Sequence, residues 1–235
     1  MRNLCRFLVF LLLVSFSLPI ADSKTKRKPK KKIAPCSEGT AYRKCPACGS
    51  AVRQSFRDLN VLKNRDDAAT SPEQVTVAEI RKRANDSGHF DPKQQVSVTA
   101  YVASLDKGGF QETCNCGRND LRDIHINIVA NPSERNDKTK YVVVEITPRW
   151  QNNFHLDDSN YNAMLKKVKD QIVHKWVKFE GWMLRDTAHI TESKSTGKST
   201  TPTCKDDGND PKPCIWRATP WEVHPVTKYA VVSGP

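Results

Sequence analysis

The feature that most constrains the fold is the order of six patterned segments within residues 95–235. Val96, Val98, Ala100 and Val102 alternate with other residues, a period typical of a strand with one buried face. Four further segments have strand character, and one segment has the 3-and-4 spacing of a helix. The strand segments are residues 96–102, 124–128, 141–146, 176–184 and 221–232, and the helix carries Leu165, Val168 and Ile172.

Three strands, a helix and two strands is the order of the OB-fold, a five-stranded barrel with its helix between strands three and four. An open antiparallel sandwich and a mixed sheet with one packed helix are the alternatives. Gly181 stands inside the fourth strand, where a residue without a side chain permits a strong bend. We predict a mainly β chain in which residues 95–235 form an OB-fold-like barrel.

Residues 35–94 precede the barrel and are predicted to form a cysteine-containing N-terminal arm. Residues 35–64 hold three cysteines and show little hydrophobic periodicity, so loops are expected there. Ser71-Pro72-Glu73-Gln74 has the composition of a helix start, with Ser as the cap and Pro in the first turn. A short helix over residues 71–84 is therefore predicted.

The N-terminus has the layout of a secretory signal peptide. Arg2 and Arg6 supply positive charge, residues 7–20 are almost wholly apolar, and Ala21 and Ser23 are the small residues of a cleavage site. The apolar run is shorter than the roughly 20 residues that a spanning helix needs, although an uncleaved anchor is the alternative. We predict a signal peptide over residues 1–23, export to the periplasm or the exterior, and no membrane span after cleavage.

The positive charge is concentrated in a short tail. Of the formal net charge of +12, residues 24–32 carry +7, and +4 remains for the chain after residue 32. Such a run stays solvated and attracts anions in a salt-dependent manner. Residues 24–34 are thus either a solubilising linker or a basic tail for an anionic partner, meaning nucleic acid, envelope polysaccharide or an acidic lipid surface.

A group of histidines and carboxylates lies on the predicted strands. Pairing Ile124 with Ile146 puts the apolar residues of strands two and three on one face and sets His125 opposite Glu145 on the other. In an OB-fold the third strand also lies beside the fifth, which brings two more polar residues to this face. The five candidates for one patch are Asp123, His125, Glu145, Glu222 and His224.

Three interpretations of this patch stay open. Two imidazoles and up to three carboxylates suit Zn²⁺ or another divalent ion that activates water for hydrolysis. A histidine paired with a carboxylate also suits a general base. The third interpretation is a structural His–Glu pair between strands, and no spacing in the chain matches a known metalloenzyme signature.

An anion-binding or base-stacking surface is a separate hypothesis. Its candidate residues are Arg118, Arg122, Arg149, Arg217 and Trp216. Other aromatic residues are available for stacking, as in nucleic-acid-binding OB domains, but tryptophan in such positions also serves as core. These other aromatics are Tyr101, Phe110, Trp150, Trp176, Trp182 and Trp221.

The cysteines fall into two kinds. Cys204 and Cys214 bracket a turn-rich segment and are predicted to pair. Cys45-Pro-Ala-Cys48 and Cys114-Asn-Cys116 are tight turns followed by glycine, typical of a four-cysteine zinc site, of two disulfides between the segments, or of a redox dithiol. Cys36 is left over in each of these schemes and is expected to be free.

Several stretches carry a resemblance to known sequences. They are Glu112-Thr-Cys-Asn-Cys116, Asp123-Ile-His125, Val144-Glu-Ile-Thr-Pro148, Gly181-Trp-Met-Leu184, Trp216-Arg-Ala-Thr219 and Trp221-Glu-Val-His-Pro-Val-Thr227. Over about residues 96–232 the chain resembles a group of exported bacterial proteins of unknown function. The resemblance implies export and an OB-fold-like barrel, and it implies no activity.

Taken together, the sequence favours an exported OB-like binding module that engages an anionic polymer or an envelope partner. The alternative is a metal-dependent hydrolase that uses the His/carboxylate patch on strands two, three and five. A structural envelope protein whose loops contact another protein is the third hypothesis.

Overall fold

The fold was analysed on a computed structural model that describes residues 35–36, 39–82, 86–109, 111–156, 158–196 and 214–235. The predicted signal peptide, the basic tail, Phe110 and Cys204 lie outside these residues. The helices are α1 (Gln54–Lys63), α2 (Val77–Ile80), α3 (Pro148–Asn153) and α4 (Tyr161–Ile172). The strands are β1 (Glu73–Val75), β2 (Gln95–Lys107), β3 (Ile124–Val129), β4 (Val142–Ile146), β5 (Trp176–Arg185) and β6 (Trp221–Val232).

Five of the strands close into a barrel. β2 pairs with β3, β3 with β4, β4 with β6, β6 with β5, and β5 returns to β2. All of these pairs are antiparallel except β4 with β6, which is parallel. The prediction of a mainly β chain with a five-stranded barrel is confirmed, whereas membership of the OB-fold stays a prediction.

The register of β3 and β4 follows from their apolar alternation. Ile124 lies opposite Ile146, and Ile128 lies opposite Val142, as the sequence predicts. These side chains are fully buried in the barrel interior. A shift by one residue would turn the whole apolar set outward, so burial fixes the pairing. The same register sends His125 and Glu145 to the outer face of the barrel.

Close packing between β5 and β6 requires a glycine. A Cβ at Gly181 would overlap the carbonyl oxygen of Pro225 and lie 2.7 Å from Cγ1 of Val223. The register between β5 and β6 shifts at this point. The bend predicted at Gly181 is thus a place where two backbones approach closely.

Helix α4 lies in the chain between the third and fourth strands of the barrel. It begins at Asn160, whose side chain accepts a hydrogen bond from the backbone N–H of Ala163. Val168 and Ile172 of the predicted stripe are buried, together with Met164. Leu165 is only partly buried against the same core.

Two predictions for the N-terminal arm are wrong. Residues 73–75 form a strand, β1, which pairs in parallel with the free edge of β2, and not the start of a helix. The helix begins after Thr76, because Thr76 and Glu79 form a reciprocal capping box. Residues 35–64 are not only loops, since they contain the ten-residue helix α1.

Hydrophobic periodicity in the sequence does not reveal helix α1, because the buried face of this helix is largely polar. Arg57, Asn60 and Lys63 are buried beside Leu59. The Asn60 side chain donates hydrogen bonds to the carbonyl of Cys48 and to Oγ1 of Thr113. Polar partners, and not an apolar stripe, therefore dock this helix.

The arm covers the outer face of the barrel at the end of β2. The disulfide Cys45–Cys116 joins the arm to the loop after β2. Asn64 donates to the carbonyls of Ala47 and Cys114, both at 2.8 Å. Within the described residues, every helix falls short of the length and apolar character that crossing a bilayer requires.

Candidate functional site

The five predicted patch residues meet on the outer face of the barrel. His125 pairs with Glu145 across β3 and β4, and the parallel pairing of β4 with β6 brings His224 to the other side of Glu145. One oxygen, Oε2 of Glu145, lies 3.2 Å from Nε2 of His125 and 3.2 Å from Nδ1 of His224. Glu222 lies 3.0 Å from the same nitrogen of His224, and Asp123 precedes β3.

This patch is a buried layer beneath the arm. Asp123, Glu222 and His224 are fully buried, and Glu145 is 2% exposed. His125 is the most open of the five, with an 18% exposed side chain. Burial of so many ionisable groups is costly unless each is paired, so their partners decide what the cluster does.

Four residues that sequence reasoning missed belong to the same cluster. Lys63 of α1 places Nζ 3.4 Å from Oδ2 of Asp186 and 3.9 Å from Oε1 of Glu222. Asp186 in turn lies 2.6 Å from Nδ1 of His189. Glu112, in the loop after β2, places Oε1 3.7 Å from Nε2 of His125. No sequence signal marks Lys63. The pair Asp186 and His189 directly follows β5, so it could have been identified as a candidate from the sequence.

The two imidazoles strongly perturb Glu145. Burial alone would raise the pKa of the Glu145 carboxyl, but the neighbouring His125 and His224 hold it well below its ordinary value. Burial likewise opposes a charge on each imidazole, yet Glu145 raises the pKa of His125 to about 9 and that of His224 to about 10. Without another cation, this part of the cluster therefore binds protons tightly.

Asp123 is in the opposite situation. Burial, followed by the negative charges of Glu112 and Glu145, raises the pKa of Asp123 well above its ordinary value. Its Oδ2 accepts a hydrogen bond from the Asn115 side chain at 3.0 Å, while Oδ1 has no hydrogen-bond partner among the described residues. An orphaned carboxylate oxygen at full burial indicates a site that lacks a positive charge.

Two overlapping sets have the geometry to hold an ion. In the first, ligand atoms of Glu112, Asp123, His125 and Glu145 all lie within 4.8 Å of one another. Here Asp123 Oδ1 has no hydrogen-bond partner among the described residues, whereas His125 Nε2 and Glu145 Oε2 face each other at 3.2 Å. The second set consists of Glu145, Glu222 and His224.

Of the two sets, only the second has a lysine and an arginine in ion pairs with it in the described residues. Arg217 is fully buried and places Nη2 2.9 Å from Oε2 of Glu222, and Lys63 lies on the other oxygen. Burial would lower the pKa of Lys63, but Asp186 and Glu222 raise it well above its ordinary value, so the ammonium stays charged. With its imidazole neutral, as metal ligation requires, the first set therefore has the greater need for a cation.

A cleft of about 580 Å³ opens onto the first set. Its volume lies within the roughly 300–1,000 Å³ typical of small-molecule sites. Three of the histidines and carboxylates described above line it, namely Glu112, His125 and His189. The remaining lining residues are Phe56, Leu59, Asn60, Lys63, Gly109, Gln111, Thr113, Cys114 and Ala188.

The cysteines form disulfides in a pairing that the sequence did not predict. Cys45 pairs with Cys116, which is the expected link between the two segments. Cys36 pairs with Cys48 and is not free as expected, because the arm folds back on itself, and Cys114 is left as a buried thiol. With three sulfurs in disulfides, the four-cysteine zinc site and the redox dithiol do not form.

The second predicted cysteine pair is only partly described. Cys214 is disulfide-bonded. Cys204 lies outside the described residues, so its pairing with Cys214 stays a prediction.

The predicted anion-binding arginines each have partners within the protein. Arg217 pairs with Glu222, Arg118 with Asp120, and Arg122 donates to the carbonyl of Gly108. Arg149 is 8% exposed and donates to the carbonyl of Thr40 at 2.8 Å. Trp216 is half-buried, and its ring contacts that of His189 edge-on.

The other aromatic candidates divide between core and surface. Trp150 and Trp221 are buried and belong to the barrel core. Tyr101, Trp176 and Trp182 are half-buried.

Comparison with protein-family models, with curated proteins and with solved structures gives no match for this chain. The resemblance to exported bacterial proteins accordingly stays a prediction, and function has to be inferred from the geometry of the cluster and its cleft.

Proposed function

We propose that the protein is an exported hydrolase that binds one divalent metal ion, Zn²⁺ or a similar ion, through Glu112, Asp123, His125 and Glu145. The observation that carries this proposal is the orphaned, fully buried Oδ1 of Asp123, grouped with Glu145 and with two residues that line the cleft, Glu112 and His125. Imidazole nitrogen and carboxylate oxygens are ordinary ligands of such ions.

Charge supports one ion and not two. With neutral imidazoles, the first set carries three carboxylates against no lysine or arginine in an ion pair with them in the described residues. The second set already has Lys63 and Arg217 beside Glu222. His224 then acts as a positioning residue, since its Nδ1 faces Glu145 and orients that carboxylate toward the ion.

A bound ion lowers the pKa of a coordinated water and supplies a hydroxide nucleophile near neutral pH. His189 is suited to the accompanying proton transfer. Its side chain is 33% exposed at the cleft, and Asp186 fixes the ring through Nδ1. Burial opposes the charge, but the hydrogen bond that His189 Nδ1 donates to Asp186 raises the pKa of His189, so a protonated imidazole faces the cleft.

The alternative of a binding module for an anionic polymer receives less support. Its candidate arginines are occupied by carboxylates and carbonyls within the protein. The disulfides are compatible with export, which we retain as part of the proposal.

Elemental analysis of the full chain after dialysis against zinc, followed by hydrolysis assays, tests the proposal. Suitable chromogenic substrates are p-nitrophenyl acetate, p-nitrophenyl phosphate and bis-p-nitrophenyl phosphate. We expect one equivalent of metal, loss of turnover with a chelator, and recovery on adding metal back. Asp123→Asn and His125→Ala should lose the metal, whereas His155→Ala, at an exposed histidine outside the cluster, should keep it.

A second pair of readouts separates metal binding from proton transfer. His189→Gln should retain the metal and lower kcat by roughly 10²-fold, the usual contribution of a general acid. Metal content near zero in the wild-type chain, with Asp123→Asn changing only stability, would contradict the proposal.

A further inference from the structure

A second cavity, of about 350 Å³, opens on the outer face of the barrel beside the cluster. Its volume is again in the range of small-molecule sites. It is lined by Ser104, Asp106, Asn127, Lys138, Tyr141 and Trp216.

The cavity adjoins both proposed reaction groups. Asp106 lies directly opposite His125 in the register of β2 and β3. Asn127 is two residues beyond His125 on the same face, a step of roughly 7 Å along a strand. The ring of Trp216 meets that of His189 edge-on, with centroids 5.4 Å apart. Two residues that line the cavity are thus direct neighbours of His125 and His189, which line the cleft.

The polar groups of the cavity are held in a fixed arrangement. The Asn127 side-chain nitrogen donates to Oγ of Ser104 at 2.9 Å and to Oδ2 of Asp106 at 2.7 Å. Both of its protons are thereby used, which leaves Oδ1 of Asn127 and a carboxylate oxygen of Asp106 as acceptors. A ligand with several hydroxyl donors matches these acceptors.

Aromatic surface lies beside these acceptors. Trp216 and Tyr141 line the cavity, and Tyr141 packs against Tyr101 in a small apolar cluster outside the barrel core. The ring of Tyr101 meets that of Trp176 edge-on at 5.8 Å. Aromatic faces next to planar hydrogen-bond acceptors bind a sugar ring, whose C–H face is apolar and whose edge carries hydroxyls.

Charge argues against a nucleic acid in this cavity. The carboxylate of Asp106 and the ammonium of Lys138 both line it, so its side chains carry no excess positive charge to attract phosphate, and the predicted anion-binding arginines are paired elsewhere. We propose that the cavity is a binding subsite for a sugar ring, and that the proposed hydrolase cleaves an ester carried by a carbohydrate chain. In this reaction water adds to the ester carbonyl carbon, the bond from that carbon to the sugar oxygen breaks, and the sugar oxygen leaves with a proton. The reaction part of this inference rests on the proposed function, whereas the binding part does not.

Calorimetric titration of the full chain with chitotetraose and with cellotetraose tests the subsite, first without metal and then with zinc. A tetrathymidylate and a tetra-alanine peptide serve as the competing chemistries. We expect an oligosaccharide to bind in both metal states, and Trp216→Ala and Asp106→Ala each to weaken binding at least about tenfold. Trp182→Ala is the control, because that half-buried tryptophan lines a different cavity.

Two results would overturn the subsite. One is binding of neither oligosaccharide, and the other is an affinity that both the Trp216 and Asp106 variants leave unchanged. Tighter binding of the tetrathymidylate or the peptide, lost in Trp216→Ala, would assign the cavity to that chemistry and equally refute the sugar. Sugar binding without any metal uptake would support the subsite and refute the hydrolase, so the two failures are distinguishable.

Discussion

Replacement of Lys63 by methionine removes a buried ammonium that two carboxylates share. The Lys63 side chain is 9% exposed, and its partners Asp186 and Glu222 are at most 1% exposed. Removing one member of a buried ion pair costs about 3–5 kcal/mol, because the other charge is left uncompensated. Arg217 still lies 2.9 Å from Glu222 and 3.9 Å from Asp186, which places Lys63→Met at the lower end, about 3 kcal/mol.

Urea denaturation followed by circular dichroism measures this loss in the free energy of unfolding. Lys166→Met is the matched control, because the ion pair of Lys166 with Asp170 is largely exposed and contributes about 0.5 kcal/mol or less. The double variant Lys63→Met/Asp186→Asn should be more stable than the sum of the single effects predicts, since it also removes the orphaned charge. A loss below about 1 kcal/mol for Lys63→Met, or strict additivity in the double variant, would show that Lys63 does not compensate the charges of Asp186 and Glu222.

Three further predictions concern protonation, packing and the free thiol. In the metal-free protein the pKa values of about 9 for His125 and about 10 for His224 exceed the value in the unfolded chain, about 6.5. The stabilisation that these two protonated histidines provide is therefore complete below about pH 6.5 and is lost as pH rises through 9 to 10. A pH series of urea unfolding should show this decline in the free energy of unfolding, and a flat profile would contradict it. Gly181→Ala should lower the free energy of unfolding by at least about 2 kcal/mol, because the new Cβ meets the Pro225 backbone. Gly117→Ala, at a position with open space but a positive φ, should lower it by about 1 kcal/mol in the same assay. Burial and the nearby Asp123 raise the pKa of the Cys114 thiol, so iodoacetamide should label Cys114 only after unfolding. Labelling of Cys114 in the native protein, detected by mass spectrometry, would contradict this burial.

The barrel was predictable because its strands carry their own pattern. The period-two apolar runs of β3 and β4 fix which residues face inward, and the resulting register places His125 opposite Glu145. The parallel contact between β4 and β6 followed from strand order and brought His224 to the same carboxylate.

The covering layer was not predictable by the same means. Helix α1 buries Asn60 and Lys63 against carbonyls and carboxylates, so it has no apolar stripe to detect. The cysteine pairing depends on how the arm folds back, which spacing alone does not specify. Sequence therefore located the patch, while its burial, the cleft and the partner Lys63 became evident only from the tertiary structure.

The central claim is that a metal ion occupies the site between the arm and the barrel. An anomalous difference map from crystals of the zinc-loaded full chain, recorded at the zinc absorption edge, tests it most directly. We expect one peak in contact with Asp123 Oδ1, His125 Nε2 and Glu145 Oε2, with Glu112 completing the ligands. No peak at this position, or a peak held instead by Glu222 and His224, would contradict it.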